Sequence, residues 1–234
     1  MRLPTFLLAL LIMAAPHITR AQQQNLILVE LFTSQGCSAC PPADALLPEL
    51  DEMPGVLALA FHVDYWNYLG WKDTFSSPQN SARQKAYSHA LHKRSLYTPQ
   101  VIVHGREAIV GHKARKIADA LQRQMQASPR IMMEASRDGG ILVVRIEPVD
   151  GPRPGAVDIS VVRYMPSQEV EIRHGENAGR SFTYHNIVSD WDVVARWDGR
   201  EPVDLRFEGL GDEPVAVIAQ EADMGPVLSA ARLP

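Results

Sequence analysis

The hydrophobic pattern of residues 25–127 predicts alternating strands and helices. Continuous apolar runs at residues 25–32 and 56–63, rich in branched side chains, are typical of strands that are buried on both faces. Residues 41–53 between them predict a helix whose prolines fall in the first turn. The order strand, helix, strand favours a parallel sheet with a right-handed crossover. The further predicted elements are helices at residues 77–93 and 113–127 and strands at residues 100–104 and 108–110.

The pattern changes after residue 129, where short strand-like runs separated by Gly, Pro and Asp replace the alternation. No convincing helix is predicted in this half of the chain. We therefore predict an α/β domain at residues 25–128 and a mainly antiparallel, sandwich-like all-β domain at residues 130–234. The predicted strands of the second domain are residues 131–135, 141–147, 157–164, 170–173, 191–197, 203–207 and 215–219.

The first 21 residues have the composition of a secretory signal peptide. Arg2 gives a charged start, residues 6–15 are apolar, and Thr19-Arg20-Ala21 is a small-x-small cleavage site. A membrane anchor is the alternative, but the apolar run is shorter than the roughly 20 residues that span a bilayer. We predict cleavage after Ala21, a periplasmic or secreted bacterial protein, and no membrane partner after cleavage.

Charge and cysteine content narrow the function further. The 23 basic and 27 acidic residues are interspersed, so the chain lacks the basic surface that nucleic acid or an anionic membrane would require. Its two cysteines allow one disulfide, which an oxidising compartment favours. A zinc site needs further ligands, and no close pair with zinc-ligand spacing occurs among His62, His89, His92 and His104. We predict no metal and no other cofactor.

The two cysteines lie where a predicted buried strand leads into a helix. The Cys37 sulfur is then close to the unpaired amides of the helix N-terminus, whose positive end stabilises a thiolate. Cys37 is therefore the predicted nucleophile. Cys40, one turn further on, is positioned to attack the mixed disulfide and release the partner. A structural disulfide is the alternative, although so short a loop gains little stability from chain entropy.

The order strand, Cys37-Ser38-Ala39-Cys40, helix, strand, and then Thr98-Pro99 before a later strand, resembles thioredoxin-like proteins. The resemblance implies a thioredoxin-like domain followed by the mainly antiparallel β domain. It also implies that Pro99 is cis and faces the disulfide, and that the Thr98 backbone holds an extended substrate segment. Sequence alone would favour trans, because only about one in twenty X-Pro bonds is cis.

A closer resemblance is to a family of exported bacterial thioredoxin-like proteins of unassigned function. It spans most of the mature chain and both predicted domains, but it does not specify an activity. The dipeptide Ser38-Ala39 differs from those of well-known oxidants and reductants, so the redox potential is not indicated. The segments that carry the resemblance are residues 29–44, 64–66, 70–73, 97–100, 175–180 and 184–186.

Several other side chains are candidates for the site. Tyr65, Trp66 and Trp71 belong to an aromatic loop at residues 64–73, which is either a substrate-binding lid beside Cys37 or packing against the β domain. Glu30, in the buried strand, is either a proton shuttle for Cys40 or simply exposed or hydrogen-bonded.

Five further residues are weaker candidates for a role in the site. Asp64 and Lys72 either orient the aromatic loop or are solvated. Glu176, Asn177 and Arg180 either bind an anion or form a turn.

The leading functional prediction is a thiol-disulfide oxidoreductase that acts on protein or peptide thiols and disulfides. The alternative is a non-catalytic binding protein with a structural disulfide. A copper-handling protein, in which His62 joins the cysteines, is less favoured, because a strand histidine is more often satisfied within the fold. The sequence does not indicate an oligomeric state.

Overall fold

The computed structural model describes residues 22–23, 25–138, 140–211 and 213–233. The predicted signal peptide, residues 1–21, lies outside this range. Within it, the chain forms three α-helices, a short 3₁₀ turn and twelve strands in two sheets. None of the described helices has the length and apolar composition needed to cross a membrane.

The elements follow one another in chain order. The helices are α1 Pro41–Asp51, α2 Pro78–Ala90 and α3 Ala114–Met125, and the 3₁₀ turn is Asn67–Leu69. The strands are β1 Gln22–Gln23, β2 Ile27–Thr33, β3 Val56–His62, β4 Gln100–Val103, β5 Glu107–Val110, β6 Ile131–Asp138, β7 Ile141–Pro148, β8 Val157–Ile172, β9 Arg180–Trp197, β10 Val203–Phe207, β11 Val215–Glu221 and β12 Val227–Leu233.

The predicted α/β fold class, a thioredoxin-like domain followed by a separate antiparallel domain, is wrong. Of the described residues, 45% lie in strands and 19% in helices, so the structure is mostly β. Its main sheet has eight strands in the order β12-β11-β8-β9-β3-β2-β4-β5 and mixes parallel and antiparallel pairs. The prediction fails because the edge of β3 that does not pair with β2 is not left open. β9, from the second half of the chain, pairs with it in parallel at Ala60 and Ile187. The sheet therefore crosses the predicted boundary at residues 128–130, and the division into two domains stays a prediction.

Both faces of the eight-stranded sheet are covered. Side chains alternate across β2, so Val29 and Leu31 pack under α1 and α3, while Leu28 and Phe32 face the side of α2. The four-stranded sheet, in the order β1-β6-β7-β10, packs on the β8, β11 and β12 end of the main sheet. Buried charged and polar residues within these layers, described below, lie where α1 and α2 meet the sheet.

The helices begin as the sequence predicts. α2 is capped by Ser77, whose hydroxyl accepts a hydrogen bond from the Gln79 N–H at 3.1 Å. α1 has prolines at its first two positions, where no intrahelical N–H bond is lost. In α3, Ile117 and Leu121 are buried at the predicted helical spacing.

The longest feature is the hairpin of β8 and β9, whose strands have 16 and 18 residues. β11 pairs with β8 only along Val157–Arg163, so the distal part of the hairpin continues beyond that neighbour. A register shift between Arg163 and Tyr164, opposite Asp190 and Val188, separates the proximal from the distal part, and Asn186 nearby has a φ of 46°. The turn that joins the strands, residues 173–179, reaches the cysteines, and we call it the hairpin tip.

Candidate functional site

The cysteines form a disulfide in the loop that joins β2 to α1. The Cys37 N–H donates to Ser34 O, and the Cys40 N–H donates to Cys37 O, so the loop is tightly turned. Cys37 is only 2% exposed and Cys40 is fully buried, whereas Ser38 and Ala39 between them are exposed. The sulfur atoms therefore lie under the surface, at the start of α1.

Thr98–Pro99 is a cis peptide bond, as the resemblance implies. Pro99 and Ala43, in the first turn of α1, both approach Gly111: a Cβ added at Gly111 would be 2.8 Å from Pro99 Cβ and 3.0 Å from Ala43 Cβ. The Gly111 N–H also donates to Pro99 O at 2.8 Å. Two predicted site segments, Cys37–Cys40 and Thr98–Pro99, thus meet at the same end of α1.

Trp66 joins these two segments. Its indole N–H donates to Thr98 Oγ1 at 2.7 Å, and its Cβ would be 3.4 Å from a Cβ added at Gly36, directly before Cys37. Tyr65 packs beside it, with ring centroids 6.0 Å apart, and its hydroxyl donates to Gln84 Oε1. Burial raises the pKa of Tyr65 to about 12, so its hydroxyl stays protonated.

Trp71 reaches the cysteine loop through Gln35. The indole N–H of Trp71 donates to Gln35 Oε1 at 2.8 Å, and Gln35 Nε2 donates to Thr74 Oγ1. The backbone N–H of Gln35 donates to Asp73 Oδ2 at 2.8 Å. The aromatic loop therefore contacts the cysteine loop directly, and Asp73 and Gln35 hold the two together.

A buried carboxyl lies one helical turn after Cys40. The Asp44 N–H donates to Cys40 O at 3.1 Å, and residues four apart share a helix face. Burial raises the pKa of Asp44 to about 7, while charge on His62 and the hydrogen bond from the Thr33 hydroxyl lower it and charge on Asp73 raises it. This carboxyl therefore exchanges a proton near neutral pH.

His62 extends the buried cluster on the same face of the sheet. Its Nδ1 lies 2.7 Å from Asp73 Oδ2, and its ring meets those of Phe75 and Tyr184 edge-on at 5.3 and 5.0 Å. Its Nε2 is buried and has no hydrogen-bond partner within the described residues. Burial, followed by the charges of Asp44 and Asp73, raises the pKa of Tyr184.

Glu30 is not brought together with the cysteines. It lies on the α2 side of β2, whereas Asp44 lies on the α1 side. Its carboxylate pairs with buried Arg83 at 2.7 Å and accepts a hydrogen bond from the Tyr87 hydroxyl. Glu30 is therefore held in a buried ion pair.

The hairpin tip covers the cysteine loop. All of residues 173–180 are exposed except Asn177, which is 1% exposed. The Asn177 side-chain amide donates to Gln35 O at 2.9 Å and to Cys37 O at 3.0 Å. One side chain from the far half of the chain thus bonds to the carbonyls on both sides of Gly36.

Of the weaker candidates, Asn177 lies at the site and Arg180 donates to its amide oxygen, whereas the others lie apart from it. Asp64 bonds to Ser81 in α2, and Lys72 is exposed. Glu176 is also exposed, whereas Arg180 stacks on Phe182. No group of three or more His, Cys, Asp or Glu side chains among the described residues is arranged to hold a metal ion.

Three residues of the site, Asp44, Asp73 and Gln35, were not candidates from sequence, and Asn177 was considered only as part of an anion site or a turn. Asp44 has a signal in the Cys-x-x-x-Asp spacing, which puts it on the same helix face as Cys40. Asp73 follows the aromatic residues of the loop but has no pattern that marks it as a shared acceptor. Gln35 and Asn177 gain their roles only through contacts across the fold.

Comparison with known proteins gives a family and two structural relatives. Residues 28–219 match the family described as protein of unknown function (DUF1223). A protein from Agrobacterium tumefaciens with a crystal structure is 32% identical over 91% of this chain and 96% of its own, with a TM-score of 0.75. HBP35 of Porphyromonas gingivalis is 12% identical over 92% of this chain and 76% of its own, with a TM-score of 0.63, which indicates a shared fold only. No curated protein matches significantly. The chain belongs to the DUF1223 family of proteins of unknown function.

Proposed function

We propose that this protein is an exported thiol-disulfide oxidoreductase that acts on protein or peptide substrates. Cys37 and Cys40 are the reacting pair, and the Thr98–Pro99 segment beside α1 is the surface along which a substrate segment lies. Support for export comes from the sequence of residues 1–21 and from the disulfide itself.

The observation that carries the proposal is the buried carboxyl of Asp44, which stands one helical turn after Cys40. A buried acid with a pKa of about 7 destabilises the fold whenever it ionises, so stability does not explain it. A disulfide that opens and closes, however, needs a proton acceptor and donor beside the sulfur that becomes a thiolate. Asp44 fits that need at neutral pH.

The chemistry runs through a mixed disulfide. A partner thiolate attacks Cys37 Sγ, the partner–Cys37 bond forms, and the Cys37–Cys40 bond breaks with its electron pair on Cys40. Asp44, in its protonated form, donates a proton to the Cys40 thiolate. A second partner thiolate then attacks the partner's sulfur and Cys37 leaves as a thiolate. The partner is oxidised to a disulfide, while this chain holds a Cys40 thiol and a Cys37 thiolate that takes a proton from water. The reverse steps reduce a partner disulfide.

One observation favours the alternative of a non-catalytic binding protein. Cys37 is 2% exposed beneath the hairpin tip, and burial of this kind also suits a structural disulfide. The two functions differ in reduction potential, because structural disulfides are held below about −300 mV and exchanging pairs of known oxidoreductases lie between about −120 and −270 mV.

The first test is therefore the reduction potential of the pair. The mature protein is equilibrated with graded glutathione buffers, and free thiols are counted by alkylation and mass. A potential above about −270 mV supports exchange, and a potential below about −300 mV supports the binding protein.

Trapping provides a second test. Cys40→Ser, which leaves Cys37 free, is expected to accumulate mixed disulfides with partner proteins, and Cys37→Ser is the matched control that should trap none. Equal amounts of adduct from both variants would count against Cys37 as the nucleophile.

A further inference from the structure

The hairpin tip is held across the cysteine loop by a single buried side chain. Asn177 is the one buried residue in an otherwise exposed stretch, and both of its amide hydrogens are used on Gln35 O and Cys37 O. The amide oxygen of Asn177 accepts a hydrogen bond from Arg180 at 3.2 Å, which orients the amide group. A surface turn needs no such buried polar contact for its own conformation.

The tip also approaches the aromatic loop closely. A Cβ added at Gly175 would lie 3.2 Å from Trp71 Cβ and 3.3 Å from Leu69 O, and the φ of Gly175 is 79°. The His174 ring lies 6.3 Å from the Trp71 ring. The tip therefore touches the cysteine loop and the aromatic loop together.

The backbone hydrogen bonds of the tip are made within the hairpin. Its internal bonds, from Ala178 to Gly175 O and from Gly179 to Ile172 O, join residues within or next to the turn. Proximal to the tip, the Asn186 side-chain amide bonds to Ala58 O of β3 and anchors the hairpin. Lifting the tip breaks the Asn177 bonds but leaves this anchor intact.

We propose that Asn177 is a specificity-determining residue that makes the Cys37–Cys40 pair selective for polypeptide partners over small thiols such as glutathione. This inference rests on the proposed exchange function and names its substrate class. Attack on Cys37 requires that the tip be displaced, which leaves Gln35 O without its Asn177 donor. A polypeptide partner replaces these bonds with its own backbone N–H groups and contact area, whereas a tripeptide has little with which to do so.

The test compares Asn177→Ala with the wild type and with Glu176→Ala, an exposed neighbour that serves as the matched control. The second-order rate of disulfide reduction is measured with glutathione and with reduced, unfolded ribonuclease A as the polypeptide probe. Asn177→Ala is expected to react with glutathione at least about tenfold faster, while Glu176→Ala stays within about twofold of the wild type. The rate with the polypeptide is expected to rise much less, so selectivity for the polypeptide falls.

A purely structural role for Asn177 predicts a different result. It would change both rates by the same factor, and selectivity would stay constant, which would overturn the proposal. Arg180→Ala, at an exposed position, removes the bond that orients the Asn177 amide and is expected to give a smaller rise, about threefold, if Asn177→Ala does not fold. An unchanged glutathione rate in Arg180→Ala would then contradict the proposal.

The exchange function is tested separately in the same samples. If the reduction potential of the wild type lies below about −300 mV, the proposed function fails whatever the ratio of rates. If the potential lies in the exchanging range and Asn177→Ala leaves selectivity unchanged, the exchange function stands and the role of Asn177 fails.

Discussion

Asp44→Asn tests whether the carboxyl beside Cys40 is held protonated in the folded protein. Asn keeps the size of the side chain and an oxygen that accepts the Thr33 hydroxyl bond, but it cannot ionise. The comparison therefore isolates the titration of one buried group.

The expected magnitude follows from the pKa difference between the two states. Burial raises the pKa of Asp44 from 3.8 to about 7 in the folded protein. Between these values the Asp44 carboxyl is protonated in the folded state and ionised in the unfolded chain. Its contribution to the free energy of unfolding is therefore complete below pH 4 and is lost as the pH rises toward 7. At about 1.4 kcal/mol per pH unit, the loss from this group is about 4 kcal/mol.

The assay is urea unfolding from pH 4 to pH 8 with the disulfide intact. The free energy of unfolding of the wild type, minus that of Asp44→Asn, is expected to fall by about 4 kcal/mol across this range and to level off above pH 7. The nearby residues His62, Asp73 and Tyr184 are the same in both proteins, so the comparison changes only the Asp44 side chain. Asp192→Asn, at an exposed position, is the control and should show no such fall.

Parallel pH profiles for the wild type and Asp44→Asn would refute this reasoning. They would mean that the Asp44 carboxyl titrates alike in the folded and unfolded states. The proton-donor step proposed for Cys40 would then lose its support, although exchange at Cys37 would not.

Three further outcomes are expected. Glu30→Gln breaks the buried ion pair with Arg83, so we expect the free energy of unfolding in urea to fall by about 3–5 kcal/mol. The rate of thiol-disulfide exchange should stay within about twofold of the wild type. A loss of exchange without a loss of stability would support Glu30 as a proton shuttle. Asp73→Asn weakens the contacts to His62 and Gln35 and should destabilise by about 3 kcal/mol, and no change would argue against its role as shared acceptor. Trp66→Phe removes the bond to Thr98 and should cost about 1 kcal/mol by the same assay.

Local patterns could be predicted because they depend on neighbours in sequence. The three helices and the strands of the first half follow from apolar periodicity and from Ser77, Pro41 and Pro78, and the structure confirms them. The cysteine loop and the cis bond at Pro99 were implied by a family resemblance in which these residues recur together.

The sheet order could not be predicted in the same way. β9 was underestimated because Ser181, Thr183 and His185 make its distal part polar on alternate positions, and Asn186 interrupts the pattern. β12, with Ser229 and Ala230 at its centre, carries too weak an apolar signal. Which strand fills the open edge of β3 depends on tertiary packing.

In the site, too, some residues are placed by local sequence pattern and others only by tertiary packing. Asp44 is placed by helix periodicity and could have been found, since it stands four residues after Cys40. Gln35 and Asn177 meet across a sequence separation of 142 residues, and nothing near either residue specifies the other. Glu30 was considered because it lies near the cysteines in sequence, but strand alternation puts it on the other face of the sheet.

The hairpin tip has a consequence for the order of events during synthesis. Cys37 bonds to a residue 140 positions later in the chain, and ribosomes release the N-terminal segments first. Cys37 and Cys40 are therefore made well before the segment that covers them exists. For the exported protein that we propose, we expect the disulfide to form in an open loop and the tip to close over it afterwards.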